Sequence, residues 1–232
     1  AADLLDKVVN KEVVETINYP FASMNTKTKG MRKGELVTVT AGTGIGKSQF
    51  CRELAYHLIK NNKKIGYIAL EESIQKSAES LLSLELNTPL HLSTEQIDKK
   101  KLSDAFKVLF NNGNVLLYNH FGSLEQGHLL SKIRYLAKAL QCEYIFLDHL
   151  SIVISGNESG DERRNLDAIM TGLRSLVSET GIGLIVVSHL RRVFNDKGHE
   201  EGAATSLGQL RGSHGIAQLS DIVIGLERNQ QS

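Results

Sequence analysis

The sequence predicts an α/β domain: a mostly parallel sheet flanked by helices. Two patterns carry that expectation. Six short runs are apolar almost throughout, namely Leu36–Thr40, Ile65–Leu70, Val115–Tyr118, Tyr144–Leu147, Leu184–Val187 and Ile222–Leu226. A strand with one wet face alternates apolar and polar residues, so unbroken runs point to strands covered on both faces. Between the runs, apolar residues recur at helical spacing: Phe50, Leu54 and Leu58, then Leu129, Ile133, Leu136 and Leu140, then Leu166, Ile169, Leu173, Leu176 and Val177. Strand, helix and strand in succession is the pattern of parallel strands joined by crossover helices.

Ahead of the first run, residues 1–18 read as a short amphipathic helix through Leu4, Leu5, Val8, Val9, Val13, Val14 and Ile17. Asn18 to Gly34 reads as a linker with Pro20, scattered Ser, Thr and Asn, and the basic residues Lys27, Lys29, Arg32 and Lys33. The division is therefore 1–33 for an N-terminal helix and linker and 34–232 for the α/β domain. That helix must bury its apolar face, either on its own domain or on a neighbouring copy. Farther on, Ser73 reads as the cap of the helix after the second run, and Lys99–Lys101 as the solvated start of another.

Composition excludes several classes. With 41 % hydrophobic and 23 % charged residues over 232 positions, the chain can bury a sizeable core and is not a disordered sequence. A net charge of +1 gives no global field for a polyanion, so any nucleic-acid site must be local. Two cysteines, Cys51 and Cys142, make neither a disulfide framework nor a zinc set, and they suit a reducing compartment. No apolar run is long enough to span a membrane, and the N-terminal residues carry no signal-peptide pattern.

The first predicted strand runs into Ala41-Gly42-Thr43-Gly44-Ile45-Gly46-Lys47-Ser48, and an amphipathic helix follows. This is the phosphate-loop pattern, with Ala41 where the consensus has its first glycine, a position that mainly needs a small residue. The glycines let successive backbone N–H groups converge on one anion, and the helix beginning near Lys47 adds its N-terminal dipole. Gly42, Thr43, Gly44, Ile45 and Gly46 would cradle a nucleotide. Lys47 would reach its β- and γ-phosphates, and Ser48 would bind Mg²⁺.

Ligands of parallel sheets sit at the carboxyl ends of the strands, and three such ends carry suggestive residues. Tyr144-Ile145-Phe146-Leu147 is followed by Asp148, the second metal-binding candidate. The Ile65–Leu70 run ends in Glu71-Glu72. Glu71 directly follows the run and is the favoured base for an attacking water, while Glu72 faces the helix start. Leu184–Val187 ends in Ser188-His189, which places His189 to sense a γ-phosphate.

From MRKGELVTVTAGTGIGKS through LEES, FLDHLSIV and VVSHL to LRGSHGIAQLSDIVIGLERNQQ, the sequence resembles the RecA-type motor domain of hexameric replicative DNA helicases. Within that group it is most similar to the primase-helicases of short-tailed phages and the mitochondrial helicase Twinkle, with DnaB more distant. The resemblance implies a RecA-type P-loop NTPase core. It implies Glu71 as catalytic base, Lys47 and His189 as catalytic phosphate contacts, Gln218 as a coupling glutamine and Arg228 as an arginine near the nucleotide. Ala217 stands where the family has a basic residue. The resemblance also implies a homo-hexameric ring gripped through the N-terminal helix, ATP or dTTP as the nucleotide with Mg²⁺, and a primase domain upstream. It implies a cytoplasmic setting in a phage-infected or bacterial cell, or alternatively an organelle such as the mitochondrial matrix. In the resembling proteins the in-trans arginine finger lies past the LERNQQ segment. The motor domain is therefore expected to be truncated at Ser232 and to hydrolyse nucleotide slowly.

The resemblance further implies that two loops line a central channel and track single-stranded DNA. One is Ser155–Gly160, with Arg163 and Arg164 beyond it. The other carries Arg191, Arg192 and Lys197, and Arg211 follows. The expected function is a replicative helicase motor, in which NTP hydrolysis drives translocation and unwinding. A RecA/RadA-like recombinase filament ATPase and a non-catalytic nucleotide-binding assembly factor are the alternatives.

Overall fold

The computed structural model describes residues 14–92, 98–119, 126–150, 162–189 and 214–228. A short antiparallel ribbon, β1 (Thr16–Ile17) with β2 (Met31–Arg32), precedes the main sheet. That sheet holds β3 (Leu36–Ala41), β4 (Ile65–Ala69), β5 (Val115–Asn119), β6 (Tyr144–Asp148), β7 (Gly183–His189) and β8 (Ile222–Gly225). Its spatial order is β5-β4-β6-β7-β3-β8, and every pairing within it is parallel. Each of the six apolar runs is one of these strands, shifted by at most two residues at an end.

The helices are α1 (Ala22–Thr28), α2 (Lys47–Lys60), α3 (Ile74–Leu86), α4 (Lys99–Phe110), α5 (Gln126–Lys138), α6 (Glu162–Thr180) and α7 (His214–Leu219). They cover the sheet on both faces. Successive strand residues point to opposite faces, so a wholly apolar strand feeds two cores. Ile145 and Leu147 of β6 and Leu184 and Val186 of β7 join Leu129 and Ile133 of α5 and Leu166, Ile169 and Leu173 of α6. Their strand neighbours Tyr144, Phe146, Ile185 and Val187 join Leu54 and Leu58 of α2, Leu81 of α3 and Leu109 of α4. On that second face the rings of Tyr67 and Phe146 stack at 5.6 Å. Ser73 caps α3 by accepting from the Lys76 backbone N–H at 3.2 Å, and Asp98 caps α4 by accepting from Lys100 at 2.8 Å. Lys99–Lys101 lie at the open start of α4, where Lys99 and Lys101 are exposed, as a solvated helix start should be.

The N-terminal segment corrects the sequence reading. The expected helix over 1–18 ends in extended chain, because Thr16 and Ile17 pair with Arg32 and Met31. Ile17 and Tyr19 are buried in the same core as α2, and His57 Nε2 lies 2.8 Å from the Asn18 carbonyl oxygen. One apolar residue per turn over so short a stretch fits either conformation, and burial of Ile17 beneath the ribbon decides it. The expected linker also contains a helix, α1. Its entry is clamped by Asn25, whose amide accepts from the Tyr19 N–H at 2.7 Å and donates to the Tyr19 carbonyl at 2.9 Å. The rest of the predicted N-terminal helix, residues 1–13, lies outside the described residues.

Candidate active site

Strand register assembles the site. Ala41, the last residue of β3, pairs with His189, the last residue of β7. Ala69 pairs with Asp148 at the ends of β4 and β6. The Leu70 N–H then donates to the Asp148 carbonyl at 2.8 Å, and the Leu150 N–H to the Val187 carbonyl at 3.0 Å. The phosphate loop, the Glu71-Glu72 pair, Asp148 and His189 therefore all leave the sheet at one end.

The loop itself has the backbone that its glycines permit. Gly44 has φ 75° and Gly46 φ 108°, a left-handed region in which a Cβ would be strained. Gly46 passes directly into α2. Lys47 is buried, and its ammonium donates to the carbonyls of Ala41 at 3.1 Å and Gly42 at 2.7 Å. The side chain thus arches back over the loop. Burial lowers its pKa, while the charges of Asp148 and Glu71 act in the other direction. The substituted position Ala41 contributes through its backbone carbonyl, which any small residue supplies. Thr43 is exposed and Ile45 half-buried along the same loop.

Asp148 is 7 % exposed, and burial pushes its carboxyl pKa up against a hydrogen bond with Ser48. Oδ2 accepts from the Tyr67 hydroxyl at 3.4 Å, whereas Oδ1 is buried without a hydrogen-bond partner. A buried carboxylate oxygen with no donor is costly, and a cation is its natural complement. Ser48 and Asp148 therefore fit Mg²⁺. Among the described residues no cluster of three or more His, Cys, Asp or Glu could hold a metal alone. That suits a cation taking its remaining oxygens from phosphates and water.

The two glutamates part company. Glu72 pairs with Arg52 of α2 and accepts from Ser77 Oγ at 2.6 Å, so it is committed to holding α2, the β4 exit and α3 together. The Glu71 side chain is 62 % exposed, and its Oε1 lies 2.8 Å from Nε2 of His149. His149 is buried and meets the His189 ring edge-on, with centroids 4.2 Å apart.

Both cysteines are buried. Burial raises the Cys51 thiol well above its usual range and that of Cys142 to about 11, so neither supplies a thiolate nucleophile near neutral pH.

The model of the DnaB-like helicase C-terminal domain family matches residues 16–232. The chain belongs to this family. It is 39 % identical over 213 residues to the DNA helicase/primase of Enterobacteria phage T3, an alignment spanning 90 % of this chain and 38 % of that protein. Two solved structures share the fold at 18 % identity. One, described as an ATPase domain, aligns with a TM-score of 0.75 over 98 % of this chain and 81 % of that one. A DnaB-like replicative helicase, described with its primase interactions, aligns with a TM-score of 0.76 over 96 % of this chain and 54 % of that one. The core is thus the RecA-like ATPase fold shared by DnaB-type domains.

The remaining predicted residues fall in different places. Arg228 is exposed two residues past Leu226, whose N–H donates to the Thr40 carbonyl at 2.9 Å, so it leaves the sheet at the site end. Gln218 is on α7, three residues before Asp221, whose carboxylate accepts from the Leu36 N–H at the amino end of β3. Among the described residues no hydrogen bond or ion pair ties Gln218 to the phosphate loop. Arg191, Arg192, Lys197 and Arg211, and the Ser155–Gly160 loop, lie outside the described residues. Three residues at the DnaB-type site escaped the sequence reading: Tyr67, Arg52 and His149. Tyr67 and Arg52 carry no local signal, since strand pairing and the α2 packing alone bring them to Asp148 and Glu72. His149 did carry one, as a histidine immediately after the strand-end aspartate.

Proposed function

We propose that the chain is the motor of a replicative DNA helicase, hydrolysing a nucleoside triphosphate to move along single-stranded DNA. The observation that carries this reading is the convergence of the phosphate loop, Asp148, Glu71 and His189 at one end of the sheet. The name of the T3 relative and the family match support it.

In this mechanism the Lys47 ammonium exchanges its two carbonyl acceptors for β- and γ-phosphate oxygens, and the backbone N–H groups of residues 42–48 surround the phosphates. Ser48 and Asp148 would hold Mg²⁺, whose charge would offset the charge developing on the phosphates. Glu71 takes the proton from a water whose oxygen attacks the γ-phosphorus. The bond to the β-phosphate oxygen breaks and its electron pair leaves with the diphosphate. His189 donates to the γ-phosphate and registers its departure. ATP or dTTP is the substrate. Arg228 contacts the nucleotide, and Gln218 links nucleotide state to DNA. Arg191, Arg192, Lys197 and Arg211 contact the DNA backbone. The motor works as a homo-hexameric ring docked through the N-terminal segment, 1–33, against the domain over 34–232, in the cytoplasm of a bacterial or phage-infected cell. In the whole protein a primase domain accompanies it, an extension suggested by the T3 relative's name.

The deciding experiment measures Mg²⁺-dependent hydrolysis with and without single-stranded DNA, alongside unwinding of a forked duplex. For the assembled ring of the whole protein, DNA-stimulated hydrolysis with directional unwinding is expected. Hydrolysis accompanied by strand exchange but no unwinding would favour a recombinase filament.

A further inference from the structure

We propose that His149 is a positioning residue for the Glu71 carboxylate and couples it to His189 through one buried imidazole, an inference that rests on the reading of Glu71 as the base. Glu71 is attached to the end of a rigid strand, but its side chain is 62 % exposed. A general base must stand within about 2.6–3.2 Å of the proton it removes. A solvated glutamate with free torsions spends little time at any one such point. Its neighbour Glu72 is anchored by Arg52 and Ser77, which fixes the backbone of the β4 exit but not the Glu71 carboxylate. The group that meets that carboxylate is His149, whose Nε2 reaches Oε1 at 2.8 Å.

The imidazole is suited to this work. It is 6 % exposed, so packing restricts its ring as it does not restrict Glu71. The approach of Oε1 is oblique to the ring and leaves Nε2 without an aligned hydrogen bond. A buried ring nitrogen in that state gains by pairing, and a small rotation of the exposed carboxylate brings Oε1 into line. The neutral tautomer with hydrogen on Nε2 then donates to Oε1 and leaves Oε2 for water, with no net charge required on the ring. The same ring also packs edge-on against His189, at a centroid distance of 4.2 Å and an interplanar angle of 87°. A shift of the His189 ring on meeting or losing a phosphate therefore presses on the residue that holds the base. Glu71 after β4, His149 after β6 and His189 at the end of β7 form one chain of contacts across three strand ends.

The test compares single-turnover hydrolysis, nucleotide affinity and thermal melts of the full chain with those of four variants: His149→Ala, His149→Gln, Glu71→Gln and the double variant His149→Ala/Glu71→Gln. A misplacement of about 1 Å at a reacting group costs about 10²-fold in rate. His149→Ala should therefore lower kcat by about that factor with nucleotide affinity unchanged. His149→Gln, whose amide N–H can reach the same oxygen, should recover most of the rate. Glu71→Gln should cost far less in the His149→Ala background than in the wild type, because the base it removes is already misplaced. Unchanged kcat in His149→Ala beside an inactive Glu71→Gln overturns the positioning role alone. So does a His149→Gln variant that folds yet is as slow as His149→Ala. Wild-type kcat in Glu71→Gln overturns the base reading itself.

Discussion

Glu71 and Glu72 are adjacent in the chain and have opposite surroundings. The Glu72 side chain is 11 % exposed and that of Arg52 13 %. Removing one partner of such a buried pair leaves the other charge uncompensated, at a typical cost of about 3–5 kcal/mol. Glu72→Ala should therefore lower the midpoint of denaturant unfolding strongly. Glu71→Gln exchanges an exposed carboxylate for an amide that keeps an oxygen to face His149, and should leave that midpoint in place, while the chemical step falls by about 10²–10⁴-fold. Nucleotide affinity and chemical unfolding curves for both variants check the separation, and a dead but stable Glu72→Gln would reverse the assignment. Lys47 makes a third case. Its ammonium hydrogen-bonds loop carbonyls in the described structure, so Lys47→Ala should keep the fold and abolish hydrolysis, read by circular dichroism and phosphate release.

Among the elements, β7 and α6 offer the clearest tests. Gly183 opens β7 where a Cβ would run into the Tyr144 ring and come within 3.1 Å of the Arg32 carbonyl oxygen. Tyr144 is itself buried between sheet and helices, so Gly183→Ala should destabilise the domain by about 1–3 kcal/mol through overpacking, measured by urea unfolding. On the surface, Arg134 and Lys138 of α5 hold Glu179 of α6 at 3.0 and 2.8 Å. Their hydrogen bonds hold its carboxyl down at about 2, against an ordinary 4.5. A depressed carboxylate stabilises the fold above its unfolded pKa and loses that contribution as pH falls through the folded one. The small melting-temperature gap between wild type and Glu179→Gln should thus be present above pH 4.5 and close as the pH drops toward 2. These elements were legible in different degrees. The β6 and β7 runs declared themselves because both faces are buried, and α6 because its apolar stripe recurs along the helix. The ribbon of Thr16–Ile17 with Met31–Arg32 did not, because its pairing depends on what α2 offers Ile17 rather than on any pattern within two residues. The site followed the same rule. Residues fixed by one strand end, Asp148, Glu71 and His189, could be read directly, whereas Arg52 and Tyr67 enter only through packing between elements distant in sequence.

At the scale of the whole molecule, charge constrains where the proposed DNA site could lie. A net charge of +1 over 232 residues leaves no long-range attraction for a polyanion, so affinity must come from a local set of cations. The sheet determines where that set is useful. Every nucleotide-facing candidate of the core site leaves at the carboxyl ends of β3, β4, β6 and β7, and the chain passes from His189 at the end of β7 directly into the sequence bearing Arg191, Arg192 and Lys197. In the proposed mechanism, the group that would register the γ-phosphate and the first group that would hold the DNA backbone are thus separated by one residue of covalent chain, the shortest route by which hydrolysis could alter grip. Each neutralised phosphate on a single strand steepens the dependence of log affinity on log salt by roughly 0.7. Replacing Arg191, Arg192 and Lys197 together by alanine should flatten that slope by roughly 2 for a full set of three contacts per chain. Hydrolysis without DNA should persist, because none of the three contacts the phosphate loop in the proposed mechanism, while stimulation by single-stranded DNA should be lost. Fluorescence anisotropy of a labelled oligonucleotide across a salt series, paired with phosphate release at each salt, reads both effects. An unchanged slope with intact stimulation would move the DNA track to the Ser155–Gly160 loop after β6, where Arg163 and Arg164 would be the next residues to replace.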